Sequence, residues 1–486
     1  MVRFPARLTR AVATACVSTL VAASSVGAVG RGATRGTAHR KAAPPSIVTP
    51  VSALDLIELQ ISYTTILARY YEPVEPRTLV AGARSGIAAE LAKDGVPRAS
   101  LPAVPTRVDF GSGADAIDTM VVGSIARYGA RIGGHRLARA AVRGELAALH
   151  DPYTLIFRPQ EFKSFNAFLG DASFGGIGAV LTFDAAHGRA LVERVIAGGP
   201  AATAGLRAGD ALTAIDGRPL LGRDPAGVRA ALRGKIGTMV RATFDRAGVS
   251  QTIAIARAAV RDPEVRAHIF DSVGYLALSR FGDRAGAELA AALAEQRARG
   301  ITAFVLDLRG NGGGYGDEAT AVAALFLGGP VFATRERGAA PRIARATMKR
   351  PFSGRLAVLV DGDSASAAEI VAGAVQDDGI GTIVGARTFG KGLVQSVFPL
   401  PDGSAIKMTT ARYTTPKGRD IDRVGIVPDV VVLAPANAVR GDPATDPQLA
   451  AAISAVTVNA PLPTPKAFPA PLASPSAGPS SPGASR

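Results

Sequence analysis

Two serines and a lysine in the last third of the chain have types and spacing that suggest covalent chemistry. Ser364 and Ser366 lie in the small-residue run Ser364-Ala365-Ser366-Ala367-Ala368-Glu369. Lys391 lies in the glycine-flanked turn Phe389-Gly390-Lys391-Gly392. A serine hydroxyl is a poor nucleophile until a base takes its proton. A lysine amine can be that base once burial lowers its pKa. No histidine follows His268, so this half of the chain does not build a Ser-His-Asp arrangement. A Ser-Lys hydrolase is the chemistry it suggests. His39, His135, His150, His187 and His268 are scattered without metal-ligand spacing, so no metal or other cofactor is expected.

Regular elements must hold these groups. From Val265 to Ala434, apolar strands alternate with amphipathic helices. Strand-like runs fall at 274–281, 301–310 and 355–362, and helix-like runs at 285–300, 318–327 and 366–378. That alternation predicts an α/β core with a largely parallel sheet. Upstream, Val51 to about Lys163 is mostly helical by the spacing of Leu56, Leu59, Ile66 and Leu67. The segments 79–95 and 137–152 resemble each other, as a weak repeat or as two Ala-rich helices. The chain is therefore expected to be multidomain α/β, with a helical N-terminal region at 51–165, a β module at 171–260 and the core at 261–435. The Ala/Pro/Ser-rich stretch 436–486 is expected to be a flexible tail.

The chain has 486 residues and a net charge of +15, with a bias at the start. Residues 1–50 carry seven basic residues and no acid. A basic start followed by the apolar run 11–29 is read as an export leader over residues 1–30 or as a membrane tether, with a linker at 31–50. The expected location is the periplasm or cell envelope, or outside the cell. Because much of the excess charge sits in this leader and linker, and no aromatic-basic array accompanies it, no nucleic-acid partner is expected. Cys16, the single cysteine, lies inside the leader, which leaves no disulfide chemistry in a mature chain.

The β module SFGGIGAVL (173–181) followed by RVIAGGPAATAGLRAGDALTAIDGRPL (194–220) resembles a PDZ domain. Its turn, Gly175-Gly176-Ile177-Gly178, would offer backbone N–H groups to a peptide's C-terminal carboxylate. The peptide would add as a strand beside 179–182. Its last side chain would enter an apolar pocket formed by Ile177 and the helix around Val228 to Leu232.

With the PDZ-like module placed before the core, four segments in order resemble the C-terminal processing peptidases, or tail-specific proteases. They are HDPYTLIFRPQEF (150–162), DLRGNGGGYGDEA (307–319), the serine and lysine motifs of 361–396, and YTTPKGRDIDRVGIVPDVVV (413–432). The resemblance spans roughly residues 54–433 and implies a crotonase-like protease core. It implies Ser366 rather than Ser364 as nucleophile, Lys391 as general base and Gln395 as the group that orients the lysine. It implies a supporting role for Asp377, which helical spacing places on the Ser366 face but well along the axis; a capping carboxylate is the other reading. Ala367 N–H and a glycine N–H of 312–314, with Gly313 favoured, would stabilise the oxyanion. The expected partners are proteins or peptides with apolar C-terminal tails. The alternative is a catalytically inactive PDZ scaffold. The run 98–150 has no clear counterpart in shorter relatives and is expected to be a lid or an oligomer contact.

Overall fold

The structure, a computed structural model, describes residues 52–457 apart from 170–173, 185–186, 197, 222, 261–262, 348–353 and 436–439. It begins with helices α1 (Ala53–Arg69), α2 (Pro76–Lys93), α3 (Phe110–Ile132) and α4 (Gly134–Ala147). Their apolar faces bury Leu59, Tyr63, Ile66, Leu79, Ile87 and Ile117 in one core. The two similar segments form α2 and α4, which press together through glycines. A Cβ on Gly86 would lie 2.1 Å from Ala140 O, and one on Gly144 would lie 2.1 Å from Gly82 O. The run 98–150 forms the body of this bundle, because Met120, Val121, Ile125 and Leu137 are needed in its core.

Strand β1 (Leu155–Phe157) and helix α5 (Pro159–Leu169) lead to the β module. There β2 (Phe174–Gly176) pairs with β9 (Ala258–Val260) as a two-stranded neck. Strands β3 (Ala179–Asp184), β4 (Arg189–Val195), β5 (Ala211–Ile215), β7 (Met239–Arg246) and β8 (Val249–Ala256) form an antiparallel sheet in that order, with β6 (Arg218–Pro219) paired to β5. Helices α6 (Pro200–Thr203) and α7 (Pro225–Leu232) close over a core of Ile177, Val192, Leu206, Leu212, Val228 and Phe244. Among the described strands β3 pairs only with β4, so its other edge is open.

The α/β core is a six-stranded sheet in the order β10 (Val265–Phe270), β11 (Val273–Leu278), β12 (Ala303–Asp307), β15 (Arg355–Val360), β16 (Thr382–Gly385), β19 (Val430–Val431). It is parallel except for the β10–β11 hairpin. Helices α8 (Ala285–Ala298), α9 (Gly316–Ala323) and α10 (Ala367–Asp378) cover one face, packing on Leu276, Phe304, Leu306, Val358 and Ile383. The other face buries Val273, Val305, Leu359 and Val384 under helix α11 (Pro447–Thr457). That helix corrects the expectation of a flexible tail from 436. Leu449, Ala452 and Val456 recur at helical spacing and have an apolar sheet face to cover. The remainder of the expected tail, 458–486, and the leader and linker expected at 1–50 lie outside the described residues. No helix among the described residues is long and apolar enough to cross a membrane.

A second, antiparallel sheet holds β13 (Gly329–Glu336) between β14 (Arg342–Ala346) and β18 (Ala405–Thr414), with β1 and β17 (Leu393–Pro399) also paired to β18. Leu400, Ile406 and Met408 of the β17–β18 hairpin enter the helical bundle's core. Polar groups fix the same joint. Asp402 N–H donates to Glu58 Oε1 at 3.1 Å, and Asp402 also pairs with Arg139.

Candidate active site

The chain reaches Ser366 after β15, by a tight turn. Ser364, two residues earlier, is fully buried, and its hydroxyl donates to Leu308 O at 2.8 Å. It also lies 3.1 Å from Asp361 Oδ1. Ser364 therefore closes a turn. Ser366 is partly exposed and stands at the N-terminus of α10 with φ 57° and ψ −113°. Non-glycine residues rarely occupy that region, and holding one there costs about 1–3 kcal/mol. The neighbours that hold it are explicit. Ser366 N–H donates to Glu369 Oε2 at 2.9 Å. Its carbonyl accepts from Tyr413 Oη at 3.1 Å and from Ile370 N–H at 2.9 Å.

Glu369, completely buried, also holds the lysine turn. Its Oε2 accepts from Lys391 N–H at 2.8 Å. Its Oε1 accepts from Gly390 N–H at 2.7 Å and Thr388 Oγ1 at 2.5 Å. One carboxylate thus fixes the backbone of both Ser366 and Lys391. Gly390 has φ +86°, and a Cβ there would meet Val424 N and Gly425 N at 2.9 Å. The turn lies against the segment 421–425, whose Arg423 N–H donates to Gly390 O at 2.7 Å.

Burial, chiefly, and the charge of Lys407 push the Lys391 amine down to about 8; Glu369 and Asp151 oppose them. The Lys391 Nζ lies 5.0 Å from the centre of the Tyr153 ring. Tyr153 comes from the HDPYT segment, where Asp151 accepts from Tyr153 N–H at 2.9 Å and Thr154 Oγ1 at 2.6 Å. Asp151 Oδ2 also accepts from Thr409 Oγ1 at 2.6 Å. Gln395, buried on β17, donates Nε2 to Thr409 Oγ1 at 3.4 Å. Among the described residues, Lys391 Nζ makes no hydrogen bond to Ser366 Oγ or to Gln395. Such contacts are commonly loose before substrate binds.

The glycine run 312–314 lies against the serine. A Cβ on Gly313 would fall 2.8 Å from Ser366 Cβ and 3.0 Å from Ala367 N. Only glycine permits that approach at φ +97°. The Gly313 N–H, favoured from the sequence as an oxyanion donor, here donates to Asn311 Oδ1 at 2.9 Å. Ala367 is the first residue of α10, so its N–H has no acceptor within the helix. Asp377 stands eleven residues along α10, far from the serine. It accepts from Lys417 N–H at 2.8 Å and pairs with Arg419 at 2.6 Å. Its bonds hold the turn 415–419.

In the β module, Gly175 and Gly176 are paired with β9 through Ala259 and Ala258. Ile177 is buried, and Gly178, with φ +74°, leads into the open strand β3. The turn able to face a carboxylate is thus shorter than Gly175–Gly178. Among the described residues no group of three His, Cys, Asp or Glu side chains could hold a metal.

Glu369, Tyr413, Tyr153 and Asp151 carry no site role in the sequence analysis, although each lies in a quoted motif. The Ser366-x-x-Glu369 spacing is itself a signal, since it matches a helix capping box.

The sequence profile of peptidase family S41 matches residues 272–432, and that of the PDZ domain matches residues 191–246. A carboxyl-terminal-processing protease of Synechocystis sp. is 36% identical over 309 residues, covering 61% of this chain and 71% of the relative. The carboxy-terminal-processing protease of Bartonella bacilliformis is 34% identical over 313 residues, covering 62% and 70%. The carboxy-terminal processing protease CtpB of Bacillus subtilis is 32% identical over 319 residues, covering 63% and 65%. Among solved structures, the photosystem II D1 C-terminal processing protease aligns with TM-score 0.45 and 25% identity, over 79% of this chain and 94% of that one.

Proposed function

Because the chain belongs to the carboxy-terminal processing proteases of peptidase family S41, we propose that it is an exported endopeptidase with Ser366 as nucleophile and Lys391 as base. Its PDZ module captures the C-terminal tails of protein substrates. The neutral Lys391 amine takes the proton of Ser366 Oγ as the oxygen attacks the scissile carbonyl. Ala367 N–H receives the developing oxyanion, and losing such a donor costs about 3 kcal/mol. A second donor comes from the Gly312–Gly314 run, where Gly313 N–H must first leave Asn311. The Lys391 ammonium returns its proton to the leaving amine, and water then hydrolyses the acyl-enzyme. Gln395 orients the lysine from β17 once the site tightens around substrate, and Asp377 supports α10 from its far end.

The observation that carries this reading is Glu369, which ties the backbone N–H groups of Ser366 and Lys391 to one buried carboxylate. A protein that needed only the fold would have no reason to hold a strained serine beside a lysine whose amine is pushed down. This weighs against the inactive scaffold. The test compares the parent with Ser366→Ala and Lys391→Met on an unfolded substrate ending in apolar residues. Turnover should vanish in both variants while their far-UV spectra stay unchanged. Equal turnover by Ser366→Ala and parent would sink the assignment.

A further inference from the structure

The groove between β3 and α7 is not uniformly apolar. Ala179, Leu181 and Phe183 of β3 pack toward the module's core on the same side as Val228 and Leu232 of α7. On α7, Pro225, Arg229 and Leu232 are spaced four and three residues apart and so share a face. Arg229 is exposed, and its guanidinium lies 5.4 Å from the centre of the Phe183 ring across the groove. A small, shallow cavity lies on the other side of Phe183, lined also by Asp184, Arg189, Leu220, Arg223 and Val228. Neither Arg223 nor Arg229 has a carboxylate partner among the described residues. The nearby acids are engaged: Asp184 holds His187 and Arg189, and Asp224 caps α7 through Gly227 N–H. Residues 174–260 hold eleven Arg or Lys and six Asp or Glu, so the module as a whole attracts anions.

Resting on the tail-capture reading above, we infer that the module selects tails carrying an acidic side chain two residues before an apolar C-terminal residue, with Arg229 as the reader. A peptide added beside β3 points alternate side chains toward α7. If its last side chain enters beside Leu232, the side chain two residues earlier lies about 6.6 Å further along the strand. Arg229 lies three residues from Leu232, about 4.5 Å along the helix, and its long side chain covers the difference. Phe183 supports the guanidinium from below and leaves its N–H edge to meet a carboxylate.

The experiment uses the full chain carrying Ser366→Ala, which prevents turnover, and fluorescence anisotropy with labelled decapeptides. The peptides end in the same apolar residue, carry Glu, Gln or Lys at the third position from the end, and have either a free or an amidated C-terminus. The Glu peptide should bind about three- to fivefold tighter than the Gln peptide at low salt, as for one partly exposed ion pair. Arg229→Gln should erase that preference, and Arg229→Glu should turn it toward Lys. Thermal melting checks that these surface variants fold. Carboxylate-dependent binding with equal affinity for Glu, Gln and Lys overturns this inference and leaves tail capture standing. Equal binding of free and amidated peptides overturns both.

Discussion

The acid limb of the pH profile should belong to Lys391 and should move when Lys407 loses its charge. At about 8, roughly one Lys391 amine in ten is neutral at pH 7; at the ordinary 10.5 it would be about one in 3,000. The site thus raises the population of neutral Lys391 amine by on the order of 300-fold. Burial is the larger cause and the Lys407 charge the second. Lys407 stands on β18 with its amine 5.8 Å from the Phe157 ring centre and 6.0 Å from that of Phe165. Lys407→Met keeps that apolar packing and removes the charge. Without a like charge nearby the Lys391 ammonium is easier to keep, so its pKa must rise. Lys407 is partly exposed, and screening limits the rise to about half a unit to one unit. In kcat/KM measured from pH 5.5 to 9.5, the parent should climb about tenfold per unit and level off above about 8. In Lys407→Met the limb should lie to the alkaline side, with about three- to tenfold less activity at pH 7 and nearly equal plateaus. Lys407→Arg should leave the limb in place. A limb that stays fixed or moves to lower pH in Lys407→Met would refute the electrostatic argument.

Gly313→Ala should damage both stability and turnover. Its Cβ would sit 2.8 Å from Ala365 O and Ser366 Cβ at a φ of +97°, a strain of about 1–3 kcal/mol, so the urea midpoint should fall and kcat/KM should drop more than tenfold; an unchanged kcat/KM would refute the contact. Glu145→Gln should flatten the pH dependence of stability. Burial pushes Glu145 up to about 8, and its Oε1 makes no hydrogen bond among the described residues; the folded state therefore holds a proton that the unfolded state releases near 4.5. The parent must lose stability as pH rises from about 4.5 to 8, by on the order of 3–5 kcal/mol, whereas the variant should not. Parallel melting curves for the two proteins between pH 5 and 9 would contradict this.

The α/β core is legible in the sequence because buried parallel strands leave continuous apolar runs such as RLAVLV, and helices between them keep their own period. The choice between Ser364 and Ser366 is not legible from spacing. Burial separates them, since Ser364 Oγ is bonded to Leu308 O from a strand end 56 residues away. Asp377 shows what periodicity can and cannot give. Eleven residues return it to the serine's face, but about 16 Å of helix axis intervenes, and Arg419 is its partner instead. The docking of α11 is hidden by a composition that is rich in Ala and Pro on both sides of it. Tyr153 and Asp151 act through contacts with Lys391 and Thr409, more than 230 positions away, and no local pattern encodes such contacts.

The site is assembled where separate bodies meet, and this explains why its connecting groups are buried and polar. Ser366 belongs to the helix that covers the parallel sheet, whereas Lys391 and Gln395 lead into the second sheet. Glu369 and Tyr413 join the two: Glu369 bonds the serine and lysine turns, and Tyr413 bonds Ser366 O through its hydroxyl and Gly392 O through its N–H. The helical bundle holds the same hairpin from the other side through Glu58, Arg139 and Asp402. Removing one partner of a buried charged pair costs more than the pair contributes, because the other is left without compensation. Displacing the hairpin from the parallel sheet would therefore have to break the bonds by which Glu369 and Tyr413 hold the Ser366 and Lys391 turns together.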